Sequence, residues 1–105
     1  MENGLPFPDD TTLRTTVVVR NPLGLHMRPA MTFARIATRY RSVVTVRKVD
    51  RAVNGKSLLQ LMTLAAMPGT ELELEVDGED AESALPILAA ALEAPSADGM
   101  DPLAN

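Results

Sequence analysis

Asn21-Pro22-Leu23-Gly24-Leu25-His26-Met27-Arg28-Pro29-Ala30 is the stretch whose reading decides the fold. An alternating run leads into it. Leu13, Thr15, Val17 and Val19 fall on one face, and Arg14, Thr16, Val18 and Arg20 on the other. Period two over this length predicts a half-buried strand. Pro22 and Gly24 punctuate it. A helical pattern leads out, over residues 27–40, with Ala30, Phe33, Ala34, Ala37 and Tyr40 on the core stripe and Arg35, Arg39 and Arg41 toward water. Pro29 falls in the first turn, where its missing N–H removes no intrahelical bond. The chain's one histidine, His26, therefore stands where a strand hands over to a helix start. Free amide protons and a partial positive charge gather there, a ready seat for an anion. The same charge favours the uncharged imidazole, the form a nucleophile needs. Arg28 offers a guanidinium fork to a phosphoryl group. A cation in a first turn opposes the helix dipole, and a bound anion would offset that. Met27 and Met31 lie off the core stripe; they suit an adaptable contact surface, and filling the edge of the core would explain them equally well.

Working outward, Val44 and Val46 point inward from a second strand over residues 42–48, and a turn at Val49-Asp50 leads to a short third strand over 51–53. Ser57-Leu58-Leu59-Gln60 has the form of a capping box and opens a short helix over 58–65. So short a helix cannot bury Leu58, Leu59, Leu61 and Met62 together, so part of that set is exposed. Glu71-Leu72-Glu73-Leu74-Glu75-Val76 is a strict period-two strand with a carboxylate face. Asp80 is placed to cap a last helix that reaches Glu93, with Pro86 inside it, where proline kinks a helix or delays its start. The order β-α-β-β-α-β-α with amphipathic strands predicts an α+β two-layer fold: a four-stranded antiparallel sheet with three helices on one face.

The chain has 105 residues, enough for one domain: a disordered leader at 1–11, a folded domain at 12–94 and a disordered tail at 95–105. Its aromatics are Phe7, Phe33 and Tyr40, so the core must be aliphatic. The absence of cysteine excludes disulfides and thiol chemistry, and with one histidine it argues against a zinc site. No cofactor is expected. No stretch has the length of a membrane span, and the first residues lack signal-peptide character, so a cytoplasmic setting is the default. The net charge of −4 conceals a segregation: all ten Lys and Arg lie between Arg14 and Lys56, with Asp50 the one acid among them. That favours an anionic ligand or an acidic protein partner.

Gly24-Leu25-His26-Met27-Arg28-Pro29-Ala30, followed by Lys56-Ser57-Leu58, resembles the histidine-containing phosphocarrier (HPr) family of the bacterial phosphoenolpyruvate-dependent sugar phosphotransferase system. The resemblance covers Leu13–Glu93 and implies the open-faced sandwich of that family. It implies that His26 is phosphorylated on Nδ1 by enzyme I and passes the phosphate to EIIA-type domains. Arg28 matches the arginine that steadies the phosphoryl group. Ser57 matches the regulatory serine that a dedicated HPr kinase phosphorylates in many bacteria. Leu58, Leu59 and Met62 match the apolar partner-docking patch. The implied protein is a monomeric carrier rather than an enzyme. Met27, Gly55 and Pro86 depart from what the family leads one to expect. Two rival readings remain at this level. One is a regulatory protein-binding module of a nitrogen-type or kinase-linked branch without sugar transport. The other is a nucleic-acid-binding module, prompted by the basic segment but lacking an aromatic pair for base stacking. For Ser57, capping alone is a sufficient explanation.

Overall fold

The alternation around residue 15 is realised as β1 (Thr12–Val18), and the computed structural model describes residues 12–96. The proposed leader, and the tail beyond residue 96, lie outside the described residues. After β1 come α1 (Met27–Ala37), β2 (Val43–Lys48), β3 (Arg51–Asn54), α2 (Leu58–Met62), β4 (Glu71–Asp77) and α3 (Ala81–Glu93). This is the predicted order. The strands form one antiparallel sheet in the order β1-β4-β2-β3.

Register explains why one face is dry. Thr15 pairs with Leu74, Leu74 with Val46, and Val46 with Val53, so a single row of inward side chains crosses all four strands. A one-residue slip would turn that row to water, so the pattern fixes the pairing. On the opposite face Arg14 Nε meets Glu75 Oε2 at 2.6 Å, and Arg47 Nε meets Glu73 Oε1 at 3.2 Å. These exposed pairs contribute at most about 1 kcal/mol each. What holds the fold is the apolar side, where Phe33, Ile36, Leu61, Leu64, Leu72, Leu74 and Leu88 are fully buried between sheet and helices. Each such side chain contributes about 1.5–3 kcal/mol. Ile36 joins this core although the predicted stripe on α1 omitted it.

Five local expectations are corrected. First, α1 ends at Ala37 instead of Tyr40. The Thr38 hydroxyl donates to the Arg35 carbonyl, and Arg39 and Tyr40 amides donate to carbonyls three residues back, so the last turn tightens out of α-geometry. The Lys56 ammonium then donates to the Tyr40 carbonyl at 2.7 Å. Second, α2 stops at Met62, short of residue 65, through the same three-residue-back bonds from Thr63, Leu64 and Ala65, and Ala65 turns to φ +49°. Third, the capping box is half formed. Ser57 Oγ accepts the Gln60 amide, but Gln60 Oε1 accepts the Asn54 amide instead of that of Ser57. Fourth, Asp80 makes no side-chain cap on α3. Its carboxylate reaches back across the sequence to accept the Arg41 amide at 2.8 Å, the Ser42 amide at 3.0 Å and the Ser42 hydroxyl. Fifth, Pro86 does not delay α3, which is helical from Ala81. The proline sits on the exposed side of the helix.

Gly55 departs from family expectation for a steric reason. A Cβ there would lie 2.5 Å from Val44 Cγ1 and 3.2 Å from the Phe33 ring, so the loop after β3 presses its bare backbone against the core.

Candidate functional site

The loop before α1 is held from four sides. Asn21, buried, accepts the Leu23 amide on its side-chain Oδ1 at 3.0 Å and the Gly24 amide on its carbonyl at 2.8 Å. Gly24 adopts φ +77°, a conformation L side chains avoid. A Cβ there would sit 2.5 Å from the Ala66 carbonyl oxygen. The Leu25 amide donates to that same oxygen at 2.8 Å, and the Leu25 side chain is buried in the core. This clamp delivers His26 to the N-cap of α1.

At the N-cap the His26 backbone is extended and its carbonyl accepts the Ala30 amide at 3.0 Å, but its side chain makes no capping bond. The imidazole is thus not used to satisfy the helix and is half-exposed. The first turn holds no acid, and the helix opens at Met27, the residue after His26. Arg28 is exposed two residues on. His26 and Arg28 line one shallow cleft of about 200 Å³ together with Asn21, Pro22, Leu23, Pro95 and Ser96. That lining contains no carboxylate and no second imidazole. A larger hollow of about 450 Å³ lies at the β2–β3 edge, where Lys56 is the single ionisable group among its lining residues.

Around the cleft Met27 is 58% and Leu23 72% exposed, leaving apolar surface beside the histidine. Met31 is exposed as well. Of the α2 residues, Leu59 is 79% exposed while Leu58 and Met62 are half-buried against the core, so the outward patch on this helix narrows to Leu59. Ser57 is half-exposed at the α2 N-cap. Sequence reasoning missed Asn21, Leu23, Pro95 and Ser96 as neighbours of His26. Pro22 and Gly24 mark this turn in the sequence, and Asn21 and Leu23 carry no signal of their own there. Nothing local ties Pro95 and Ser96 to a residue seventy positions earlier. Among the described residues no cluster of three His, Asp or Glu could hold a metal ion, and no helix is long and apolar enough to cross a membrane.

An antiparallel four-stranded sheet with one face bare and three helices on the other is an open-faced sandwich, and it sets a reachable histidine at a helix start. Comparison with known proteins carries this further. Residues 13–94 match the family described as "PTS HPr component phosphorylation site", and the chain belongs to the HPr family. Phosphocarrier protein HPr of Neisseria meningitidis is 45% identical over 73 residues, covering 70% of this chain and 82% of that protein. The HPr-like protein Crh of Bacillus subtilis is 46% identical over 74 residues, covering 70% of this chain and 87% of that protein. The crystal structure of a phosphocarrier protein HPr from Bacillus anthracis superposes with a TM-score of 0.75 at 34% identity, covering 78% of this chain and 98% of that one. The protein is a phosphocarrier of the phosphotransferase system.

Proposed function

We propose that His26 accepts the phosphoryl group on Nδ1 from enzyme I and hands it to a histidine of an EIIA-type domain. The observation that carries this is the half-exposed imidazole at the N-cap of α1, unengaged in capping, in a cleft shared with Arg28. A ring-nitrogen lone pair attacks phosphorus; the P–N bond to His26 forms as the bond to the donor breaks. The reverse exchange loads the acceptor. Arg28 neutralises charge on the phosphoryl oxygens, and first-turn amides with the helix dipole do the same from the other side. The cleft lining supplies no carboxylate or second imidazole to activate water, which suits a carrier that must keep its adduct until a partner docks. Leu23, Met27, Met31 and Leu59 form apolar contact surface for those partners, and the basic segment attracts acidic ones. Ser57 is the regulatory position: a phosphate there sits at a helix start, where the dipole tolerates it, but adds charge beside Leu58, Leu59 and Met62.

The test is incubation with phosphoenolpyruvate and enzyme I. The expected result is one acid-labile, base-stable phosphate on the wild type and none on His26→Ala, with the fold kept because the imidazole makes no capping bond. Labelling that survives His26→Ala overturns the assignment.

A further inference from the structure

The loop that carries His26 rests on the Ala66 carbonyl oxygen, which accepts the Leu25 amide at 2.8 Å and leaves no room for a side chain at Gly24. That oxygen lies four residues past the end of α2. The chain leaves the helix through amides of Thr63, Leu64 and Ala65 bonded to carbonyls three residues back. Ala65 then stands at φ +49°, a conformation L side chains avoid, with no glycine to ease the turn. Such a turn persists only where its surroundings hold it. Lys48 supplies that hold. Its ammonium donates to the Leu64 carbonyl at 3.0 Å and to the Ala65 carbonyl at 3.4 Å. The second of these carbonyls belongs to the peptide group that joins Ala66. The origin of the lysine is the sheet. Val44 and Val46 point into the core from β2, and Lys48 takes the next inward position, half-buried. Its aliphatic stem continues the apolar row, and its charged end passes beyond the row to the two carbonyls.

We propose that Lys48 is a positioning residue for His26, acting through the Leu64 and Ala65 carbonyls on the Ala66 oxygen that clamps the histidine loop. The sheet thereby fixes the turn after α2, that turn fixes Leu25 and Gly24, and these deliver the imidazole to the start of α1. Lys48 touches neither the ring nor the phosphoryl group; it sets where the ring stands. The kinetic consequence rests on the carrier reading, and the hold on the loop does not. Misplacing reacting groups by 1 Å costs about 100-fold in rate, so a shift of about 0.3–0.5 Å at His26 costs about four- to tenfold.

The experiment compares the wild-type chain with Lys48→Met, Lys48→Arg and Asp80→Asn. Methionine keeps an apolar stem in the inward row, so the fold stands while the donors are lost. Arginine keeps the donors. Asp80→Asn weakens the fold at the Arg41 and Ser42 amides and is the destabilised control. Amide resonances of Gly24, Leu25 and His26 are recorded on all four proteins. Initial labelling rates with phosphoenolpyruvate and enzyme I are measured over a range of carrier concentrations. The expected result is that Lys48→Met shifts the three resonances and lowers the maximal labelling rate about four- to tenfold, with the half-saturating concentration unchanged. Lys48→Arg recovers most of both, and Asp80→Asn melts lower yet matches wild type at the loop and in rate. Wild-type resonances and rate in Lys48→Met overturn the proposal. So does a Lys48→Arg chain that behaves as Lys48→Met, since the donors are then not what acts. Equal changes in Asp80→Asn overturn it too, since general destabilisation then explains them. The expected shifts with no labelling of any of the four proteins uphold the hold of Lys48 on the loop and refute the carrier role of His26.

Discussion

Gly24→Ala tests the claim that the loop before α1 is built by close backbone approach. Gly24 sits at φ +77°, and an added Cβ would lie 2.5 Å from the Ala66 carbonyl oxygen and 3.2 Å from Met67 Cα. The left-handed conformation costs an L residue about 1–2 kcal/mol. The carbonyl must also retreat about 0.9 Å to reach ordinary contact at 3.4 Å. That same carbonyl accepts the buried Leu25 amide at 2.8 Å, and disturbing this bond costs about 1–3 kcal/mol. The reduced freedom of the unfolded chain returns about 0.4–1 kcal/mol. The net loss is about 1–4.6 kcal/mol, a fall in Tm of about 4–35 °C for a domain of this size. Gly69→Ala is the matched control. It has φ +87° but nothing within 4 Å of an added Cβ, so it bears the conformational cost alone, about 0–1.6 kcal/mol net. Thermal melts followed by far-ultraviolet circular dichroism measure both, and a labelling assay on Gly24→Ala reads the displacement of His26 as slower loading. Equal destabilisation by the two substitutions would refute the reasoning, because the Ala66 contact would then contribute nothing.

Arg28→Ala is expected to slow loading of His26 by about 10- to 100-fold, the loss of a charge-assisted bond, with Arg28→Lys between it and wild type; stopped-flow or quench-flow labelling with enzyme I checks the order. Ser57→Asp should keep the melting temperature, since an aspartate accepts the Gln60 amide as the serine oxygen does, yet lower the labelling rate of His26; unchanged kinetics would remove Ser57 from the regulatory reading. The Asp80 carboxyl is held below the ordinary aspartate range, first by the Ser42 hydroxyl and then by the Arg41 amide. A depressed folded-state pKa means that the carboxylate's contribution is complete above the unfolded value near 4 and is lost as pH falls through the lower, folded value. Asp80→Asn should therefore lose stability at neutral pH and show a flatter acid limb than wild type in chemical denaturation across about pH 2–7.

The sequence alone determined the order of elements, the inward faces of the strands and the place of His26 at a strand-to-helix junction. Those features follow from periodicity and punctuation, which are carried by residues within a turn or two of one another. That His26 and Arg28 line one cleft follows from the same local spacing, since two residues at a helix start leave little freedom. Only the tertiary structure decided what lies farther apart. Asp80 reads locally as a cap, yet the packing of α3 brings it to Ser42, whose hydroxyl and amide compete successfully for its oxygens. Gly24 reads as punctuation, yet its necessity comes from Ala66, more than forty residues on. The neighbours of His26 at the other end of the chain, Pro95 and Ser96, have no local signal at all. Contacts between segments are set by which buried surfaces close on each other, a sum over the whole core, and no single stretch of residues records it.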